Sequence, residues 1–151
     1  MIPKVFLDTN ILLDLFLERP GYEDSARILQ AGDDGKVELF CSFLTIANLA
    51  FILRKTVSSG MIVPTLMQIS SLIKVLPMDE DLLKDSFHIA GRDFEDILQA
   101  VCACKGGCSH IVTRNTADFS FSSVDGFPSK IKVFPEVCAP DDFLKNCLGS
   151  N

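Results

Sequence analysis

Lys4-Val5-Phe6-Leu7 is an apolar run that stops abruptly at Asp8. A short uninterrupted run of this kind predicts a strand buried on both faces. Helical spacing then takes over at Ile11, Leu12, Leu15 and Phe16 and is stopped near Pro20-Gly21. A second helix is expected over Tyr22 to Gln30, with Gly32 and Gly35 as terminators, and Val37 to Cys41 reads as a second strand. Ser42 is placed to cap a long apolar helix through Leu53, closed by Arg54-Lys55 at its negative end. A further helix is predicted over Val63 to Ile73, with Pro64 in its first turn, and Lys74 to Pro77 as a third strand.

The second half continues the alternation. Asp79 to Ala90 is predicted helical, with Gly91 as its breaker. Asp93 begins a helix that runs to about Lys105 and ends at Gly106-Gly107. His110 to Thr113 and Ile131 to Phe134 supply the fourth and fifth strands, and a short helix follows Pro140. Strands and helices at this spacing predict an α/β three-layer sandwich around a mostly parallel sheet of about five strands. Such sheets bind ligands beyond the carboxyl ends of their strands.

At 151 residues, 48% of them hydrophobic, the chain is expected to form a single domain, 1–151, with a substantial core. The net charge of −6 argues against gripping nucleic acid by bulk charge alone. Two uncharged stretches, Leu39 to Leu53 and Thr56 to Ile73, are too short or too interrupted by polar residues to span a bilayer; both read better as buried helices. With no secretory signal in the opening residues, a cytoplasmic protein is expected, and its six cysteines should be free thiols or ligands.

The acids stand at informative places. Asp8 ends the first strand, Asp93 and Asp96 begin the helix before the fourth strand, and Asp118 follows that strand. Adjacent first and fourth strands would bring all of them to one edge. Clustered carboxylates repel one another unless a cation lies between them. Hard oxygen ligands select Mg²⁺ or Mn²⁺, the usual equipment for phosphodiester hydrolysis. Two such ions would take the net charge from −6 to −2. Each acid also has a structural reading: Asp93 as a helix N-cap with Asp96 closing a capping box, Asp118 and Asn115 as turn residues. Thr45 and Asn48 are the only polar side chains between Phe43 and Leu53. Three apart, they share a helix face, which either holds a core polar pair or looks into the carboxylate pocket. Cys102, Cys104, Cys108 and His110 offer soft ligands for Zn²⁺, but cysteines two apart on a helix point in different directions.

Together these segments resemble the motifs of the PIN-domain family, the metal-dependent ribonuclease fold that includes the VapC toxins. Val5-Phe6-Leu7-Asp8-Thr9-Asn10-Ile11-Leu12-Leu13 is similar to its first motif and Ser42 to Leu49 to its second. Asp93 to Ala100 is similar to the third and Ile111 to Phe119 to the fourth. The resemblance implies a sheet of order 3-2-1-4-5. It implies one or two Mg²⁺ or Mn²⁺ ions held by Asp8, Asp96 and Asp118, with Asn115 as the alternative to Asp118 and Asp93 as a further ligand. Those ions would activate a water for in-line attack and stabilise the departing 3′ oxygen. Asn10, Thr45, Asn48, Thr113 and Asn115 would support the site. It further implies an RNA substrate, a small antitoxin as partner and a homodimer. Arg54, Lys55, Arg92 and Arg114 are candidate phosphate contacts.

One departure stands out. Asn48 occupies the place where the family's second motif usually carries glutamate. An amide can orient a water but brings no charge, which should weaken metal affinity. This favours, as the competing reading, a PIN fold that binds nucleic acid or serves as a scaffold without cutting. A third reading, phosphoryl transfer through an aspartyl intermediate at Asp8, lacks the second Asp two residues on, where Asn10 stands.

Overall fold

The computed structural model describes residues 1–119 and 134–149. Five strands form one parallel sheet in the order β3-β2-β1-β4-β5. They are β1 (Lys4–Leu7), β2 (Glu38–Ser42), β3 (Lys74–Leu76), β4 (His110–Val112) and β5 (Glu136–Cys138). Seven α-helices among the described residues flank it: α1 (Thr9–Leu17), α2 (Tyr22–Asp33), α3 (Phe43–Leu53), α4 (Ser59–Leu72), α5 (Glu80–Ser86), α6 (Phe94–Lys105) and α7 (Pro140–Leu148).

The pleat of β1 explains the two cores. Val5 and Leu7 point into a cluster with Ile11 and Leu12 of α1, Ile28 of α2, Leu49 and Leu53 of α3, and Phe143 of α7. Phe6 points the other way, into Leu82 of α5 and Ile97, Val101 and Ala103 of α6. Both faces of β1 are covered, so its sequence shows an apolar run rather than alternation.

Several boundaries differ from expectation. Helix α4 begins at Ser59, so Pro64 lies inside it rather than in its first turn. Its apolar residues do not make it a buried helix: Ile69 is its buried residue, while Met61, Val63, Met67 and Leu72 are exposed. The stretch from Leu39 to Leu53 is not one buried helix; it is β2 followed by α3, as the strand expected over Val37 to Cys41 and the helix capped by Ser42 require. Helix α5 starts where the first-turn acids predict, with Asp79 accepting from the Leu82 amide at 2.8 Å, but it ends at Ser86. Phe87 and Ile89 continue the apolar spacing from a turn, packed beside α6 rather than within a helix. Residues 131–133 of the strand expected at Ile131 to Phe134 lie outside the described residues; Phe134 is not in a strand, and β5 is Glu136–Cys138. No helix among the described residues is long and apolar enough to cross a membrane.

The sheet order positions the site. From β1 the chain moves outward to β2 and β3 on one side, then returns to β4 and β5 on the other. The reversal lies between β1 and β4, where Leu7 is in register with Val112. The next residues along are Asp8 and Thr113, placed where open parallel sheets leave a crevice for ligands.

Candidate metal centre

Asp8 caps α1 just past the carboxyl end of β1, its amide bonded to the Val112 carbonyl at 3.0 Å. The side chain is almost wholly buried, at 6% exposure. Thr113 donates its hydroxyl to Asp8 Oδ2 at 3.0 Å and accepts the Asn115 amide at 3.2 Å. One hydroxyl thus fixes the first acid and starts the turn that carries Asn115 into the 3₁₀ helix Thr116–Phe119. That turn presents Asp118, whose amide bonds to the Asn115 carbonyl at 3.0 Å.

Helix α6 supplies the remaining acids. Asp93 is its N-cap and accepts the Glu95 amide at 2.8 Å. The capping reading of Asp93 therefore holds, yet its side chain also lines the cavity. That cavity, of about 250 Å³, is walled by Asp8, Asn10, Asp93, Glu95, Asp96, Asn115, Asp118 and Phe119. Three separate elements thus bring Asp8, Asp96 and Asp118 to one space, with Asn115 beside them. Among the described residues, no three His, Cys, Asp or Glu side chains are drawn close enough together to hold an ion. The acids stand around the wall, as like charges do. Their donors are hard oxygens, the chemistry that suits Mg²⁺ or Mn²⁺.

The electrostatics record this crowding. Burial pushes the Asp8 carboxyl up, bonds from Thr113, the Thr9 amide and Asn10 pull it back, and the charge of Asp118 raises it again. Asp96 is pushed up to about 7, first by burial and then by Asp8, Asp93, Asp118 and Glu95. Glu95 is raised by burial and by Asp93, with the Asn48 bond opposing.

Behind the acids lies a buried polar network. Thr9 donates to Thr45 Oγ1 at 3.3 Å, and Gln99 Nε2 donates to the same oxygen at 3.2 Å. Ser42 donates to Gln99 Oε1 at 2.5 Å and accepts the Thr45 amide at 3.0 Å, closing the α3 cap. Thr45 therefore does not look into the carboxylate cavity. It ties α1, α3 and α6 together directly behind Asp8 and Asp96. Gln99 escaped the sequence reading, although it lies three residues after Asp96, on the same helix face, in a largely apolar stretch. Asn48, the other polar residue of α3, donates to Glu95 Oε1 at 2.6 Å.

The candidate phosphate contacts differ among themselves. Arg54 and Lys55 lie over the Phe51 ring, at 3.9 and 5.8 Å from its centroid. Arg92 is exposed next to Asp93. Arg114 is already engaged: its Nε is 2.8 Å from Oδ2 of Asp14, which is 1% exposed. Arg19 stands 3.7 Å from the other Asp14 oxygen. Burial raises the Asp14 carboxyl, and Arg114 then Arg19 lower it. The pair anchors the turn after β4 to α1. Arg114→Ala leaves a buried carboxylate with only the distant Arg19, an expected loss of about 2 kcal/mol once the half-exposed Arg114 is allowed for. Thermal denaturation should show a fall of about 4–8 °C.

The cysteines and His110 of the Zn²⁺ motif face different neighbours. Cys102 Sγ points to the Pro77 carbonyl at 3.9 Å. His110 packs edge-on against Phe143, its Nε2 3.4 Å from Cys147 Sγ.

An acid-lined cavity at the switch point of a doubly wound parallel sheet defines the class: an α/β domain with carboxylates arrayed around one cavity. The PIN domain family model matches residues 4–117, and the chain belongs to that family. It is 24% identical over 123 residues to Ribonuclease VapC1 of Aquifex aeolicus (strain VF5), covering 78% of this chain and 85% of that protein. Its fold is similar to that of VapBC2 from Rickettsia felis, solved bound to a DNA fragment from their promoter. The TM-score there is 0.65 at 14% identity, covering 90% of this chain and 98% of that one. It also matches a toxin-antitoxin complex from Klebsiella pneumoniae, with a TM-score of 0.60 at 21% identity and coverage of 85% and 99%.

Proposed function

We propose that this protein is a divalent-metal-dependent endoribonuclease of the cytoplasm and the toxin of a toxin-antitoxin pair. The observation that carries the reading is the convergence of Asp8, Asp96 and Asp118 on one cavity in a PIN domain. The likeness to a ribonuclease and to a toxin-antitoxin complex supports the substrate and the partner.

Asp8, Asp96 and Asp118 would hold one or two Mg²⁺ or Mn²⁺ ions, with Asp93 as a further ligand. When bound, the metal supplies Lewis-acid polarisation of the phosphodiester and charge stabilisation on the departing 3′ oxygen. The chain's own residues do the rest. Thr113 and Asn10 hold Asp8 in place. The Thr9–Thr45–Gln99–Ser42 network fixes the spacing of α1 and α6, hence of Asp8 and Asp96. Asn115 turns the backbone so that Asp118 completes the wall. Arg92, Arg54 and Lys55 are candidate contacts for RNA phosphates, with Arg114 committed to Asp14.

Metal-stripped protein incubated with RNA should leave it intact, and adding Mn²⁺ should generate fragments with 3′-hydroxyl and 5′-phosphate ends. Cleavage that persists undiminished in chelator would overturn the metal-dependent reading. Asn48 favours the second reading, a PIN fold that holds RNA without cutting it. Retarded but uncut RNA across a panel of substrates in Mn²⁺ would select that reading. Exposed Phe43, Phe51, Met61, Val63, Met67 and Leu72 on α3 and α4 supply an apolar surface for a homodimer. Light scattering at micromolar concentration should return twice the 16.6 kDa chain mass, and a monomer would contradict the dimer.

A further inference from the structure

The amide at position 48 and the carboxylate at position 95 belong to one arrangement. Asn48 lies on α3, where the sequence departs from the glutamate of the family's second motif. Its Nδ2 donates to Glu95 Oε1 at 2.6 Å, linking residues 47 apart in the chain. Glu95 sits in the first turn of α6 and lines the same cavity as Asp8, Asp96 and Asp118. It is close enough to Asp8 and Asp93 for their charges to act on it. The cavity has therefore not lost a carboxylate. The charge missing from α3 is present on α6, and the residue at position 48 is a donor directed at that charge.

We propose that Glu95 supplies the carboxylate that α3 lacks, as a ligand to the divalent cation of this site, with Asn48 as the positioning residue that turns it inward. The proposal rests on the metal-dependent reading above and assigns a residue to it. A first-turn acid is also favoured by the helix dipole alone, and a bond to Asn48 can serve only to tie α3 to α6. The two roles differ in chemistry. A tie needs an acceptor oxygen, which glutamine retains; a cation ligand needs the negative charge, which glutamine removes.

Calorimetric Mn²⁺ titration of the full chain tests this, with thermal denaturation in chelator run beside it. Glu95→Gln should melt no lower than wild type in chelator and weaken Mn²⁺ binding by about tenfold or more. Asn48→Ala should weaken binding by a smaller factor. Because Asn48 acts through Glu95, the Asn48→Ala/Glu95→Gln double variant should bind no more weakly than Glu95→Gln alone. The swap Asn48→Glu/Glu95→Gln, which returns the charge to α3, should recover most of the lost affinity. Asp81→Asn, an exposed first-turn acid of α5, should change nothing.

Wild-type affinity in Glu95→Gln, together with loss of binding in Asp8→Asn, overturns this assignment and leaves the metal site standing. Absence of Mn²⁺ binding in the wild-type chain overturns the underlying reading as well. Additive losses in the double variant would remove Asn48 from the role given to it.

Discussion

Asp8→Asn is expected to lower Mn²⁺-dependent RNA cleavage by about 10²–10³-fold while leaving the protein folded. The size follows from position. Asp8 lies at the switch point between β1 and β4, nearly buried, and its Oδ2 is held by Thr113. Asparagine keeps an oxygen that accepts the Thr113 hydroxyl but removes the charge. Burial raises the carboxyl at this position against the bonds from Thr113, Thr9 and Asn10, so loss of its charge is not expected to unfold the chain. A steady-state cleavage assay beside a melting curve separates the effects. Near wild-type activity in a folded variant would remove Asp8 from the chemistry.

The second large effect has opposite signs in two measurements. In the unfolded chain the Asp96 carboxyl ionises near 3.8; in the folded protein its pKa is about 7. Between these values the folded state binds more protons than the unfolded state. Stability contributed here is complete below about 3.8 and is lost as the pH rises towards 7. Metal-free wild type should therefore melt lower at pH 8 than at pH 5, as far as this cluster decides. Asp96→Asn removes a charge repelled by Asp8, Asp93, Asp118 and Glu95, and should melt above wild type at pH 8. The expected gain is about 1 kcal/mol, discounted for the site's access to solvent, or about 2–4 °C. The same variant should lose the stabilisation that Mn²⁺ gives wild type. A metal-free variant that melts below wild type at pH 8 would show that the acids do not repel as described.

Much of this arrangement was legible because each acid ends or begins an element. The run Val5-Phe6-Leu7 stopping at Asp8 marks a strand end, Asp93 and Asp96 mark a helix start, and Asp118 follows the last residues of β4. Once strand and helix alternation implies a parallel sheet, such termini gather at one edge. Other features depend on distance in space that periodicity does not encode. Glu95 reads as an ordinary first-turn acid until Asn48, on another helix, is placed beside it. Asp14 and Arg114 are 100 residues apart, and nothing local marks Asp14 as buried or Arg114 as engaged. The apolar content of α4 does not tell which face is covered, so its exposed Met61, Val63 and Met67 were not evident. In α5, Phe87 and Ile89 keep the apolar spacing beyond the point where the chain leaves the helix.

Asp8, Asp96 and Asp118, from the end of β1, the first turn of α6 and the turn after β4, are proposed above to form one divalent-cation site. Mn²⁺ titration by calorimetry into wild type and into Asp8→Asn/Asp96→Asn, each stripped of metal at pH 7.5, tests it most directly. Saturable binding is expected to the wild type and none to the folded double variant. Equal heats from the two proteins, or no binding to wild type at millimolar Mn²⁺ with RNA absent and then present, would contradict it.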